Sequence, residues 1–382
     1  AVQTNYSQEF NIFSRPDQTF TWLVGAFYYH ADAGNPYFTS YTGDAPNGPV
    51  VANFKNDVRT SSGAGFADLT WNATERLHAI LGGRYTTETK DYFYADTVRP
   101  GGAANRVTNT SATWNSPTGR AVLRFDFTPD ANIYASVSNG FKSGVFNSFS
   151  PLAFPVAPEK INALEVGAKA RLSGIILTAA GYGYNYNNIQ VQSQTLVNGI
   201  PVLTLNNATS AQLRGVEVTA AGNLAQSLSF STGINWLPTA KYNTYNTASI
   251  TVPVIGGGSI TGLTITPYNA SNSRMIKAPD WTANLQLTYS TAFLGGKFAA
   301  TVSDAFTSNY NWQAANLTSV PSFNVVNTRL SWSDPKDRYT FSVWGTNITD
   351  VVYSTYTSPN VRGNTQTFDQ PRQLGIGVAV KL

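Results

Sequence analysis

Few side chains in this sequence suit covalent, redox or metal chemistry. Among 382 residues there is no Cys, one Met and two His. Without Cys there is no disulfide scaffold, no Cys-ligated zinc or iron–sulfur site and no thiol nucleophile. His30 and His78 stand far apart in sequence. No GxSxG, HExxH or P-loop pattern occurs. Asp91, Asp96 and Asp130 lack the spacing of a calcium loop. No helix pattern follows Gly256-Gly257-Gly258 to make it a phosphate cradle. The chain therefore reads as a non-enzyme with no cofactor, no metal site and no catalytic residue. Rings are what it has in excess: 20 Tyr, 21 Phe and 8 Trp. In its polar stretches Tyr37, Phe38, Tyr41, Tyr92, Phe93, Tyr94, Phe146, Phe149, Tyr310 and Trp312 offer flat faces for stacking conjugated ligands or sugars. The same rings, where they lie near strand ends, fit an aromatic girdle at a membrane interface.

The rest of the composition narrows the class. Charged residues are 12% of the chain, half of the usual ~25%, while hydrophobic residues are an ordinary 42%. Many aromatics with low net charge exclude a disordered chain. A net charge of +4 without Lys/Arg clusters makes nucleic acid an unfit partner. No apolar run reaches the ~18 residues of a transmembrane helix. The first residue is Ala1, so the expectation is a removed signal peptide or a start inside a longer protein. Absence of Cys fits an oxidising compartment.

The elements that must position the rings are strands. Leu374, Ile376, Val378, Val380 and Leu382 alternate with Gln373, Gly375, Gly377, Ala379 and Lys381, and side chains of a strand point to alternate faces. Period two recurs over 77–86, 176–187 and 281–289. The second face is Gly, Asn, Thr and Gln, where a soluble sandwich would carry Lys and Glu. Apolar-out, polar-in strands describe an all-β, antiparallel transmembrane β-barrel around a hydrated lumen. Turn residues cluster near Arg15-Pro16-Asp17, Asn72-Ala73-Thr74, Pro129-Asp130, Ser173-Gly174, Gly222-Asn223, Gly295-Gly296 and Asp334-Pro335. Between them lie long polar stretches at about 32–58, 92–110, 143–158, 191–208, 243–277, 309–320 and 352–367. Short periplasmic turns and long extracellular loops are the asymmetry of outer-membrane barrels. Two strands per short turn plus a closing strand make about 15, an odd number where bacterial barrels are even. The expectation is a chain that lacks its first strands.

Several segments resemble TonB-dependent outer-membrane receptors of the iron-complex type. Ile133-Tyr134-Ala135-Ser136-Val137-Ser138-Asn139-Gly140-Phe141-Lys142-Ser143-Gly144 is similar to the family's "YASYSxGFKSGG". Pro158-Glu159 and Leu164-Glu165-Val166-Gly167-Ala168-Lys169 resemble "PE…YEVGxK", and Leu213-Arg214-Gly215-Val216-Glu217-Val218 resembles "xRGVEL". Asn347-Ile348-Thr349-Asp350 with Tyr353 resembles "xNLTDKxY"; Pro371-Arg372-Gln373-Leu374-Gly375 resembles "PRxxG". Near the start, Ser7-Gln8-Glu9-Phe10 and Trp22 to Tyr29 resemble the "SQELRL…WxxGxYY" pair. The resemblance implies a barrel of about 22 strands with a plug, of which residues 1–382 would be the C-terminal barrel portion, a single domain without the plug. It implies the outer membrane of a Gram-negative bacterium, lipid around the barrel, TonB acting through a plug outside this chain, and uptake of a scarce small molecule such as a ferric siderophore or other iron complex. The family usually ends in an aromatic residue; here Leu382 stands last.

Alternation against apolar neighbours selects Arg84, Arg124, Glu165, Lys169, Arg214 and Glu217 as lumen-facing. Cross-strand ion pairing is the favoured role for these six, ahead of lining a substrate path. Tyr92, Tyr94, Tyr310 and Trp312 fall just past strand ends and are the candidate ligand rim. A passive porin of about 16 strands and an outer-membrane lipase are the alternatives in other classes; for the lipase, neither His has a Ser partner by spacing.

Overall fold

Period-two alternation becomes β-strand almost throughout. The computed structural model describes residues 2–16, 18–41, 50–98, 106–147, 154–197, 200–314, 318–360 and 363–381, and no helix occurs among them. Phe149 and Leu382 lie outside the described residues, as do the side chains of Tyr37 and Tyr41. The chain opens with β1 (Val2–Phe13), β2 (Phe20–Tyr41), β3 (Val50–Asn72), β4 (Leu77–Val98), β5 (Val107–Thr128) and β6 (Ala131–Lys142). A small pair, β7 (Val145–Phe146) and β8 (Pro155–Val156), precedes β9 (Glu159–Leu172), β10 (Ile175–Val197), β11 (Ile200–Ala225) and β12 (Leu228–Thr244). The hairpin β13 (Ala248–Gly256) and β14 (Ser259–Tyr268) leads to β15 (Trp281–Phe293) and β16 (Gly296–Thr307). The pair β17 (Tyr310–Asn311) and β18 (Ser319–Val320) leads to β19 (Phe323–Ser333) and β20 (Tyr339–Thr346). The hairpin β21 (Ser354–Asn360) and β22 (Gly363–Phe368) leads to β23 (Gln373–Val380). Fifteen strands form one sheet in the order β1-β2-β3-β4-β5-β6-β9-β10-β11-β12-β15-β16-β19-β20-β23, matching the count of short turns. The other eight pair off within the long connections.

Two of the short turns are two-residue hairpins with both residues at positive φ: Ser173 (49°) with Gly174 (83°), and Leu294 (48°) with Gly295 (73°). Such turns match the twist of the strands they join. Gly222-Asn223, expected as a turn, lies inside β11, and the chain reverses after Ala225. A Cβ on Gly222 would stand 2.8 Å from the Gly174 carbonyl oxygen and the Ile175 Cα, so this glycine serves close approach of backbones. Residues 32–58 and 92–110, expected as loops, are largely strand. Pairing continues through Asn35↔Asn56 and Phe38↔Phe54 and through Asn56↔Tyr94 and Phe54↔Asp96. Ladder hydrogen bonds and alternating buried rings hold those segments extended.

The chain divides into two compact units: residues 1–123, 136–163 and 185–210 in the first; 124–135, 164–184 and 211–382 in the second. In the first, the register Ile12↔Val24, Trp22↔Leu69 and Leu69↔Leu81 lines up an exposed apolar face. Phe20 and Trp71 stack at its turn end (6.2 Å, 10°), and Tyr6 and Tyr28 meet at the other (5.9 Å). From Phe20 to Tyr28 is about nine residues, what a tilted strand needs to cross hydrocarbon. In the second unit Leu330↔Val343, Val343↔Ile376 and Phe341↔Val378 make a similar exposed face. The Trp332–Phe341 pair (6.2 Å) and the Trp236–Trp281 stack (5.6 Å, 18°) lie toward its two ends. Fully exposed in water, side chains such as Ile376, at 83% accessibility, would cost about 25 cal/mol per Å²; hydrocarbon removes that penalty.

Candidate functional site

Ring clusters stand at the long-connection end of each unit, and they differ. In the first, Phe54, Tyr92, Tyr94 and Phe146 form a buried core, packed by Val58, Ala112 and Trp114. Tyr92 is 0% exposed, with Phe146 on its ring at 5.2 Å and 11°; Tyr94 stacks on Phe54 at 5.3 Å. Burial pushes the Tyr92 phenol well above its ordinary pKa. The expectation that Tyr92 and Tyr94 form a ligand rim is corrected by this packing: their faces are covered by other rings of the chain. The segment between β6 and β9 that brings Phe146 is tied down by polar groups. Lys90 Nζ donates to the Gly144 carbonyl (2.8 Å) and lies 3.3 Å from Glu88, and the Ser143 hydroxyl donates to Glu88. Gln190 Nε2 donates to the Ser143 and Ala157 carbonyls (2.8 and 3.1 Å), and Asn207 accepts from the Ala157 N–H (2.6 Å).

In the second unit the rings remain open. Tyr310 and Trp312 are half-buried, 6.1 Å apart, and Tyr356 meets Trp312 edge-on at 6.1 Å. Lys277 Nζ lies 4.2 Å from the Trp312 ring centroid, a cation–π distance. Backbone bonds fix the parts: Lys277 N–H donates to the Asn311 carbonyl (2.8 Å) and Trp312 N–H to that of Thr318 (2.8 Å). The Trp312 indole N–H is buried and has no hydrogen-bond partner among the described residues. A buried donor left unpaired costs about 1–3 kcal/mol, so a polar acceptor brought here would be favoured. Beside it, Tyr353 stacks on Phe323 at 4.0 Å and 9°, and its hydroxyl donates to Asp369. Burial first, then that bond, pushes the Tyr353 phenol up to about 12, and the hydroxyl holds the Asp369 carboxyl low. Lys277 and Tyr356 were not singled out in sequence. Tyr356 falls in a ring-bearing polar stretch, which is a usable signal; Lys277 carries none.

The six polar-face candidates separate. Arg84 lies over the Phe27 and Phe66 rings (5.2 and 5.3 Å), and Arg124 pairs with Asp126 at 3.0 Å. Tyr134 donates to Glu165 at 2.7 Å while Lys169 sits 5.6 Å over the same ring. Arg214 departs from the expectation. Alternation along β11 puts it with the exposed Val216 and Val218, and Glu217 on the opposite face with Leu213 and Gly215. A Cβ on Gly215 would clash with the Tyr182 ring, whereas one on Gly183 would lie 3.9 Å from Arg214 Cγ. Arg214 therefore does not join the polar lining. Both His residues serve structure: His30 Nδ1 is 3.0 Å from the Ser61 hydroxyl and Nε2 is 3.5 Å from Asp32, and His78 Nδ1 is 2.7 Å from Asn72 Oδ1. The Asn347 motif is a knot in the backbone. Its side chain bonds Val351 N–H (3.0 Å) and carbonyl (2.9 Å), its own N–H donates to Asn327 (2.9 Å), and Asp350 accepts from Arg372 N–H (2.9 Å).

Strands, girdles and a rim of this kind define an outer-membrane β-barrel protein. The family described as TonB dependent receptor-like, beta-barrel matches residues 2–348, and the chain belongs to it. Its members are receptors of the Gram-negative outer membrane and not enzymes, which leaves the porin and lipase alternatives without support. Among solved structures, the chain is similar to the ferric yersiniabactin uptake receptor FyuA from Yersinia pestis, with 18% identity and a TM-score of 0.81 over 99% of this chain and 54% of that one. It is also similar to the ferric-catecholate import receptor Fiu from E. coli (17%, TM-score 0.70, 98% of this chain and 54% of that one). The copper transporter OprC matches at 14% and a TM-score of 0.71, over 98% of this chain and 58% of that one. These likenesses show a shared fold, and the chain spans about half the length of the first two structures. No curated protein matches the sequence.

Proposed function

We propose that this chain is the barrel portion of a receptor that takes up a scarce, anionic metal chelate, by its chemistry a ferric siderophore, across the outer membrane. The observation that carries the reading is the open cluster of Tyr310, Trp312 and Tyr356 with the Lys277 cation beside it at the long-connection, extracellular end. A conjugated chelate stacks on such rings, and its negative charge meets Lys277. FyuA and Fiu, named for importing ferric chelates, share the fold and support iron as the cargo metal; the copper transporter OprC shares it too, so the fold alone does not choose the metal. Transport against a gradient needs energy, which TonB would supply through a plug domain outside these residues.

The test is uptake of labelled ferric chelates by cells carrying the whole receptor. Saturable uptake that stops when the proton-motive force is collapsed is the expected result. Uptake that rises linearly with concentration and ignores the uncoupler would contradict it, and is the behaviour of a passive pore.

A further inference from the structure

Arg214 stands on the apolar face of β11, level with a second, unexplained feature. Just beyond the Trp236–Trp281 stack (5.6 Å), a pocket of about 310 Å³ is lined by Gln212, Arg214, Lys241, Asn272 and Arg274 among others. Arg274 is already engaged: it pairs with Asp280 at 2.8 Å and donates to the Ala278 and Leu237 carbonyls (2.8 and 2.9 Å). Arg214 and Lys241 have no ion-pair partner among the described residues. Gln212 is held beside them by its bond to Asn243 (2.7 Å). The pocket thus presents two uncompensated cations at the level of an interfacial tryptophan pair, above Val216, Val218 and Ile234, all exposed.

We propose that this pocket binds a phosphate of a glycolipid in the outer leaflet, of the lipid A type. Trp side chains mark the headgroup level of a membrane. Cations on the lipid-facing side are tolerated at that depth, where their cost falls toward zero, and they gain from anionic headgroups. The Arg fork fits a phosphate with two parallel bonds, and Lys adds a point charge. The pocket opens at the long-connection end, the extracellular side where phosphorylated glycolipid forms the leaflet. It lies on the face opposite Glu217, so it is separate from the polar lining and from the Tyr310–Trp312 cluster.

The whole receptor, purified in detergent, is incubated with lipid A and with its dephosphorylated form, and retained lipid is read by native mass spectrometry. Lipid A is expected to be retained in preference to the dephosphorylated form. Retention should fall about fivefold in R214Q or K241Q and about thirtyfold in the double variant. R214K, which keeps the charge, should fall less than R214Q and serves where the double variant fails to fold. Folding is checked by heat-modifiable gel mobility. Equal retention of the two lipids, unchanged retention in the folded single variants, or full displacement by inorganic phosphate at equal concentration would each overturn the proposal.

Discussion

The two ring clusters occupy corresponding places in their units, yet one is closed and the other open. Around Tyr92, rings meet rings: Phe54, Tyr94, Phe146 and Trp114 cover one another, and a polar network through Glu88, Lys90, Gln190 and Asn207 holds the covering segment. Around Trp312 the described residues form no such ring-on-ring cover. A cation faces the ring, an indole donor is unpaired, and the neighbouring rings approach edge-on or tilted. Residue type alone therefore does not mark a binding surface. A ring supplies binding only where the chain leaves its face or its polar edge unsatisfied.

Substitutions break or sharpen this contrast. The largest effect is expected for Tyr92→Ala: emptying a fully buried aromatic site costs about 3–5 kcal/mol, read as a lower unfolding midpoint, with Lys90 and Ser143 losing protection from hydrogen exchange. Trp312→Ala should leave stability within about 1 kcal/mol while weakening chelate binding by about thirtyfold, the size of an interfacial hot spot. Equal stability losses for the two variants would erase the distinction between closed and open clusters. Lys277→Gln should weaken binding by up to about fivefold, as an exposed ion pair to an anionic chelate is worth up to about 1 kcal/mol, and the loss should shrink with added salt. The smallest effect lies in the turn between β19 and β20. Asp334 accepts backbone N–H bonds from Tyr339 (2.7 Å), Lys336 (3.1 Å) and Arg338 (2.7 Å), chiefly that of Tyr339, and these hold its carboxyl below the ordinary range. A folded pKa below the unfolded value, about 3.9, means that the stabilisation is present above that value and lost as pH falls through the folded pKa. Asp334→Asn should remove this acid limb from a melting curve taken against pH and slightly lower the melting temperature at neutral pH, because the stabilisation carried by the ionised carboxylate is then absent at every pH.

Much of the frame was legible in sequence. Alternation in Leu374 to Val380 and turn pairs such as Ser173-Gly174 follow from local chemistry, and strand number follows from counting them. Gly222 reads as a turn residue in sequence, because a glycine at a turn and a glycine under a neighbouring backbone look alike in one dimension. Arg214 reads as a polar-face residue by its charge, whereas its parity with Val216 and Val218 sets it on the exposed apolar face. The fate of Tyr92 could not be read locally, since its cover comes from Phe54 and Phe146, brought from two other connections. Lys277 and Trp312 are brought together by the backbone bond from Lys277 to Asn311, a contact between segments that sequence separates.

The central claim is that the open cluster around Trp312 receives the ligand. Its most direct measurement is equilibrium binding of labelled ferric chelates to the whole receptor in outer-membrane vesicles, comparing Trp312→Ala with Tyr94→Phe. The account predicts a loss of at least about tenfold in affinity for Trp312→Ala and wild-type affinity for Tyr94→Phe. Wild-type affinity in Trp312→Ala, with correct folding and surface exposure, would contradict it.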